Sequence, residues 1–258
     1  MYANKSPWNN KAKNAEAAKQ HTEEMDKRYS KEIKECIKTS TIYGTPDVIP
    51  PGNSPDTEPT FIFDNLDSVA AAEKYAKGTT AILNFASYKN PGGMFLNGSK
   101  AQEECLCHES FLYNVLREMT GYYAYNNENK NKALYKNRGI YSPNVIFEHD
   151  GKTFTADVIT VAAPNKKAAQ KYCSVEDEEN LAHLHARIEF IRRIAEHKNV
   201  ETLILGAFGC GVFGQDPTSV ASAIKEILKK SSVKTIVLAV PGKNNNAIIF
   251  KNTFTNIK

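Results

Sequence analysis

Asn84 to Tyr113 reads NFASYKNPGGMFLNGSKAQEECLCHESFLY. Three unlike pieces meet in it: the end of an apolar run (Thr80 to Phe85), a polar loop with Gly92, Gly93 and Gly98, and a helical pattern opening on Gln102, Glu103 and Glu104. A short apolar run bounded by turn residues reads as a strand, so this is a strand, a glycine loop and a helix in sequence. Two adjacent carboxylates directly after a glycine loop are an unusual composition for a plain connector.

The same alternation extends in both directions. Upstream, TFIFD (Thr60 to Asp64) leads to Asp67-Ser68 and a helix through Lys77, with Gly78 as its C-cap. Downstream, Gly139 to Gly151 and Ala156 to Pro164 read as strands, the first interrupted by Pro143. Ser174, followed by Glu176, Asp177, Glu178 and Glu179, reads as a capped acidic helix start, and that helix is expected to bury Leu181, Leu184, Ile188, Ile191 and Ala195. A strand from Thr202 to Phe208, a helix from Pro217 to Lys230 and a strand from Thr235 to Val240 follow. Strands that are apolar throughout are buried on both faces, so helices must cover the sheet from both sides. The expected fold class is α/β, a three-layer α/β/α arrangement on a mixed sheet.

Ahead of this lies an Ala-, Glu- and Lys-rich stretch from about Lys11 to Lys38, in which Met25, Tyr29, Ile33 and Cys36 or Ile37 recur at helical steps. Its basic residues are interleaved with acids, which favours a solvated helix face over a nucleic-acid patch. Pro46, Pro50, Pro51, Gly52, Pro55 and Pro59 then exclude helix. The expected division is an N-terminal helical extension and Pro-rich linker over 1–58 and the α/β domain over 59–258. Trp8 has no place in this reading.

With 258 residues, 41% hydrophobic and 24% charged, the chain can bury one sizeable core, which excludes disorder as its main state. A net charge of +4 permits an anionic partner without demanding one. No apolar run approaches the roughly 20 residues that span a bilayer, and the N-terminus lacks a secretory core, so a soluble, cytoplasmic chain with no membrane partner is expected. Five irregularly spaced cysteines suit free thiols in a reducing compartment.

Four groups of residues are candidates for chemistry. Gly93 to Lys100 nearly spells a triphosphate loop, but Ser99 and Lys100 stand in reversed order, which misplaces both the phosphate ligand and the magnesium ligand. GAFGCGVFGQDP (Gly206 to Pro217) holds G-x-G-x-x-G at Gly209, Gly211 and Gly214, with Asp216 as N-cap and Pro217 at the first helical position. A dinucleotide site would want an acidic residue at the end of the next strand, and VKTIVLAV has none. The surviving reading is a phosphate or diphosphate at exposed backbone N–H groups, against a tight packing turn. For Glu103 and Glu104 alone, a favourably charged helix start without chemistry is the preferred reading. Cys105, His108, Leu112 and Leu116 share one helical stripe, which favours core packing over a metal site with Cys107. Cys210 reads as a small loop residue rather than a nucleophile.

Taken together, these residues resemble the bacterial-type poly(ADP-ribose) glycohydrolases, which are macrodomain-like. Asn84-Phe85-Ala86, Pro91-Gly92-Gly93, Gln102-Glu103-Glu104 and Leu106-Cys107 match the family signature, and GVFG with Asp216-Pro217 and Ile140 to Pro143 match two further stretches. Met94 stands where the family has a third glycine, which would narrow the loop over the distal ribose, and Gln215 replaces the usual Asn. The resemblance implies that Gly209, Cys210, Gly211, Val212, Phe213 and Gly214 hold the diphosphate of ADP-ribose. It implies further that Phe213 packs on the distal ribose and Asn84 bonds it, with Gly92, Gly93 and Gln102 completing the site. Glu104 would be the catalytic acid and Glu103 would orient the ribose hydroxyls. A helix start favours an ionised carboxylate whereas a general acid must hold a proton, so Glu104 is expected to act as an acid only once substrate covers it.

The expected reaction is hydrolysis of O-glycosidic ribose bonds in poly(ADP-ribose), or of terminal ADP-ribose, through an oxocarbenium-like state and with no cofactor and no metal. A reader that binds ADP-ribose without turnover, and a hydrolase of mono-ADP-ribosylated protein or nucleic acid, are the alternatives. The expected partner is ADP-ribose or its polymer on a modified macromolecule, with nucleic acid only as a modified substrate, and the chain is expected to be a monomer.

Overall fold

The structure, a computed structural model, describes residues 11–44, 49–50 and 57–255. Trp8 and the linker residues Pro46, Pro51, Gly52 and Pro55 lie outside the described residues. In chain order the elements are α1 (Lys11–Arg28), α2 (Ser30–Thr39), β1 (Thr41–Tyr43), β2 (Thr60–Asp64), α3 (Ser68–Tyr75) and β3 (Thr80–Phe85). Next come α4 (Gln102–His108), α5 (Leu112–Leu116), α6 (Thr120–Glu128), β4 (Gly139–His149), β5 (Lys152–Val161) and α7 (Lys166–Cys173). The chain closes with α8 (Asp177–His197), β6 (Thr202–Leu205), α9 (Pro217–Leu228), β7 (Thr235–Ala239) and α10 (Asn245–Thr255).

The seven strands form one mixed sheet in the order β1-β4-β5-β3-β6-β7-β2, parallel from β5 to β2 and antiparallel at the β1-β4-β5 end. Its central strands alternate between two cores, as a period of two requires. Ala81, Leu83, Leu203, Leu205, Ile236 and Leu238 face the side covered by α8, α9 and α10. Ile82, Ile204 and Val237 face the side covered by α1 to α6. The three-layer α/β/α expectation therefore holds. Residues 11–43 belong to this same body: Ala18, Met25, Ile33 and Cys36 enter the second core, and β1 forms the edge of the sheet beside β4.

Several local expectations are corrected. The single helix over 11–38 breaks at Tyr29, whose φ of −120° and ψ of 29° leave the helical region, and the break lets its hydroxyl donate to Glu148. The helix after β2 stops at Tyr75, so Ala76 rather than Gly78 is the C-cap; Gly78, at φ +62°, turns the chain into β3. The single helix implied by a stripe from Cys105 to Leu116 is two helices, because Ser110 pairs with Phe147 and the Glu109 carbonyl accepts from the Glu148 N–H at 2.8 Å. With that break the expected stripe dissolves: Cys105 is exposed, while Leu106 and Cys107 are buried. Ser174 is not an N-cap but the left-handed residue that ends α7, and α8 starts after Glu176. On α8, Leu184, Ile188, Ile191 and Ala195 are buried, whereas Leu181 is 40% exposed. Pro143 does not stop β4; the register shifts between Ser142 and Val145, with Asn144 at φ +53°, and pairing resumes. Among the described residues no helix is long and apolar enough to cross a membrane.

Candidate active site

β3, β5, β6 and β7 run parallel and end at the same edge of the sheet, and a cavity of about 640 Å³ opens there. Its floor is made by the residues that follow those strands: Phe85 to Ser87, Ala163, Ala207 to Gly209, and Ala239 to Pro241. One wall is the first glycine loop with the start of α4, and the opposite wall is the second glycine loop. This is the place where open α/β sheets bind ligands, and the volume suits a medium-sized organic ligand.

At the first wall the helix start is stapled to the end of β3. Gln102 accepts from the Phe85 N–H at 2.8 Å and donates to the Leu83 carbonyl at 2.8 Å and to Ser68 Oγ at 3.0 Å. Those three bonds fix where Glu103 and Glu104 emerge. Glu103 accepts from the Ser87 N–H at 2.6 Å and from Asn84 Nδ2 at 3.2 Å. Glu104 accepts from the Met94 N–H at 2.9 Å and, as the third helical residue, reaches back to the Ala101 N–H at 2.8 Å. Both carboxyls are buried yet line the cavity.

Their environments differ. Burial pushes the Glu103 carboxyl from its ordinary 4.5 up to about 8, opposed by the Ser87 N–H and the Asn84 amide and assisted by the adjacent charge of Glu104. Burial therefore favours the protonated form of Glu103. Asn84, fully buried, sits behind Glu103 and also donates to Thr160 Oγ1 at 3.3 Å, while its Oδ1 has no partner among the described residues. Turning that amide over would let a protonated Glu103 donate to Oδ1.

Gly93 explains itself through this geometry. Its φ is +60°, and a Cβ there would come to 2.6 Å from Glu104 Oε1 and 2.9 Å from Glu103 Oε2. Gly92, at φ +63°, is closed off by Tyr113 at 2.7 Å and Cys107 and lies behind the wall. Met94 has φ −111°, an ordinary value for a residue with a side chain, so its position requires no glycine. Its side chain is 44% exposed and lines the cavity.

The second wall is anchored at its ends. Gln215 exchanges two hydrogen bonds with Asn180, at 2.8 and 2.9 Å, and donates to the Pro164 carbonyl at 2.8 Å; the Phe213 carbonyl accepts from the Lys167 N–H at 3.0 Å. Asp216 caps α9 through the Ser219 N–H, with Pro217 at its first turn, as the sequence implies. Among the described residues the N–H groups of Gly211, Val212 and Phe213 have no hydrogen-bond partner. Three successive open donors form the kind of nest that takes an anion.

Of the twelve site residues read from the sequence, Glu103, Glu104, Gln102, Gly93, Gly209, Gly211, Val212 and Phe213 meet around the cavity. Asn84, Gly92, Cys210 and Gly214 stand behind it: Cys210 packs on the core, and burial pushes its thiol up to about 12. The sequence reading missed the far end of the cavity, where Asp67, Ser68 and Val69 face Pro241, Asn244 and Asn246. Nothing in a sequence places the start of α3 beside the loop after β7; the parallel pairing of β2 with β7 does that. Among the described residues no group of three or more His, Cys, Asp or Glu side chains is placed to hold a metal ion.

Residues 10–150, more than half of the chain, match the family described as microbial-type PARG, catalytic domain. Among solved structures, the poly(ADP-ribose) glycohydrolase of Thermomonospora curvata bound to the inhibitor ADP-HPD is 27% identical with a TM-score of 0.82, over 95% of this chain and 98% of that one. A Glu-to-Ala mutant of the Thermomonospora curvata enzyme matches at 27% identity and a TM-score of 0.83, over 94% of this chain and 100% of its own. The glycohydrolase of Deinococcus radiodurans in complex with ADP-ribose is also 27% identical, with a TM-score of 0.78 over 88% of this chain and 98% of that one. Comparison with curated proteins finds no match.

Proposed function

The chain belongs to the microbial-type PARG catalytic-domain family, and we propose from that premise that it hydrolyses the O-glycosidic ribose bonds of poly(ADP-ribose), or of terminal ADP-ribose on a modified macromolecule, releasing ADP-ribose. The observation that carries this reading is the pair Glu103 and Glu104, held by backbone and amide donors on one wall of a cavity whose other wall offers three unpaired N–H groups. In the proposed complex the diphosphate lies along Gly209 to Gly214, Phe213 covers the distal ribose, and the sugar's anomeric carbon faces the carboxyls.

Glu104 is the proposed catalytic acid. As a general acid it enters the reaction carrying a proton. It gives that proton to the departing glycosidic oxygen, leaving an oxocarbenium-like ribose. Water then adds to the anomeric carbon and Glu104 takes up the proton released. Glu103, whose protonated form burial favours, holds the ribose hydroxyls. The two carboxyls are adjacent on one helix and stand about 100° apart around its axis, so they do not flank the bond from opposite faces as paired glycosidase acids do.

One observation favours a second reading of the pair: the carboxyl whose proton affinity burial raises is Glu103. Labelled poly(ADP-ribose), incubated with wild type, Glu104→Gln and Glu103→Gln, separates the two. Release of ADP-ribose by wild type, with a loss of about 10³-fold or more in Glu104→Gln and a smaller loss in Glu103→Gln, is expected. The reverse order would assign the acid to Glu103. Binding of ADP-ribose with no hydrolysis of polymer or of mono-ADP-ribosylated protein and nucleic acid would leave a reader instead.

A further inference from the structure

Behind the second wall runs a turn with an unusual backbone. Asn131, Lys132, Ala133 and Tyr135 have φ of 45°, 51°, 64° and 63°, and none is a glycine. Left-handed backbone crowds any Cβ, and for a residue as bulky as tyrosine it is an outlier that persists only where the surroundings over-determine it. Here they do. The Tyr135 N–H donates to the Lys130 carbonyl at 3.2 Å and the Tyr135 carbonyl accepts from Asn131 Nδ2 at 3.2 Å. The Ala133 carbonyl accepts from the Asn165 N–H at 3.0 Å, and the Leu134 carbonyl accepts from the buried Arg187 at 3.3 Å.

This turn delivers one side chain to the site. The Tyr135 ring is buried, stacked on Tyr88 at 4.1 Å and 9°, and meets Phe213 edge to face at 6.1 Å and 63°. Phe213 is partly buried, packed between the core covered by α8 to α10 and the small cluster of Tyr88, Tyr135 and Ala162, and its own loop adds little to orient the ring. A Cβ on Gly211 would meet nothing within 4 Å, and Val212 is 81% exposed. The backbone bonds of the loop hold its ends and leave the rotamer of Phe213 to its neighbours.

We propose that Tyr135 is a positioning residue for the substrate cleft: its ring, fixed by the left-handed turn and by Tyr88, holds Phe213 in the orientation that closes over the sugar of the bound ligand. This rests on the reading of Phe213 given above. Edge-to-face contact favours one ring angle, and a ring ordered beforehand loses less freedom when the ligand arrives.

A double-mutant cycle tests it, with ADP-ribose affinity by calorimetry, steady-state hydrolysis of poly(ADP-ribose) and thermal unfolding as readouts. Tyr135→Gly removes the ring and suits the left-handed backbone; Tyr135→Asn, also tolerant of that backbone, guards against a folding failure in the first variant. Either should weaken ADP-ribose binding and raise KM by about tenfold, with kcat little changed. Tyr135→Phe should stay within about twofold of wild type. In a Phe213→Ala background, Tyr135→Gly should add less than about a twofold loss. Additive losses, or wild-type affinity in folded Tyr135 variants while Phe213→Ala binds weakly, would overturn the proposal and leave the function standing. Wild-type affinity and rate in Phe213→Ala would instead overturn the placing of Phe213 on the sugar, and the proposal with it.

Discussion

Two glycine loops face each other across the cavity, and they are built in opposite ways. In the first, both carboxyls are spoken for: Glu104 ties the N–H groups of Met94 and Ala101, Glu103 ties that of Ser87, and Phe95 buries its ring beneath the loop. Asn14 of α1 adds a bond to the Gly98 carbonyl at 3.2 Å from outside. In the second, the ends are anchored through Gln215 and the Phe213 carbonyl, while among the described residues the N–H groups of Gly211 to Phe213 stay unpaired and Val212 projects into solvent. Groups that must meet a bond at a set distance are immobilised by their own hydrogen bonds. Donors that must accept an anion are left unpaired, and only the frame around them is fixed. The glycines serve these two designs differently. In the first loop Gly93 makes room for two carboxyls, and in the second Gly211 has open space where a Cβ would stand.

Substitutions at equivalent-looking glycines test that contrast most strongly. Gly93→Ala puts a methyl against both carboxyls at a left-handed φ, so kcat on poly(ADP-ribose) is expected to fall about 10²-fold and stability by about 1–2 kcal/mol, read by turnover and urea unfolding. Wild-type kcat in that variant would mean the carboxyls are not held as described.

The pH dependence of stability sharpens the same loop. The folded Glu103 carboxyl, at about 8, lies above its unfolded value of 4.5, so the native state binds more protons in between, and this group's contribution falls as pH rises through that window. Thermal unfolding of wild type from pH 5.5 to 8.5 should show a decline that is flatter in Glu103→Gln. Parallel curves would remove the buried neutral acid.

Met94→Gly asks how far the first loop tolerates its departure from the family pattern. At φ −111° the side chain is not strained, so its loss should cost no more than about 0.5–1 kcal/mol in stability. Freed from ordering an exposed flexible side chain, the site should show KM for poly(ADP-ribose) lowered by about threefold. A raised KM would mean the thioether packs on the substrate instead. The smallest effect belongs to Gly211→Ala, where a Cβ meets nothing within 4 Å: binding of ADP-ribose should change by no more than about twofold. A large loss there would show that bound ligand comes within contact of that Cα.

Much of this was legible in the residues because it is local. The runs at Thr60–Asp64 and Thr80–Phe85 are strands since their apolar side chains must be covered on both faces, and Asp216-Pro217 starts a helix since an Asx side chain and a proline both suit that position. The helix boundaries at Tyr29, Ser110 and Ser174 were not legible. Each is set by a partner distant in the chain or by a helix the pattern did not reveal: Glu148, Phe147, and α7. Asn84 illustrates the same limit within the site. Its place at the end of β3 is written in the sequence, but its duty, donating to Glu103 from behind, follows from side-chain packing alone.

By itself, then, the sequence determined the layered α/β architecture, the two loops at the strand ends and the acidic pair between them, because periodicity, glycine and capping chemistry act over a few residues. Only the tertiary structure decided which carboxyl burial favours in its protonated form, which glycines touch the cavity and which backbone donors remain open among the described residues. Those properties depend on burial and on hydrogen-bond partners brought from elsewhere in the chain, such as Ser87 and Met94 for the carboxyls and Asn180 for the second loop. Short-range rules do not contain that information.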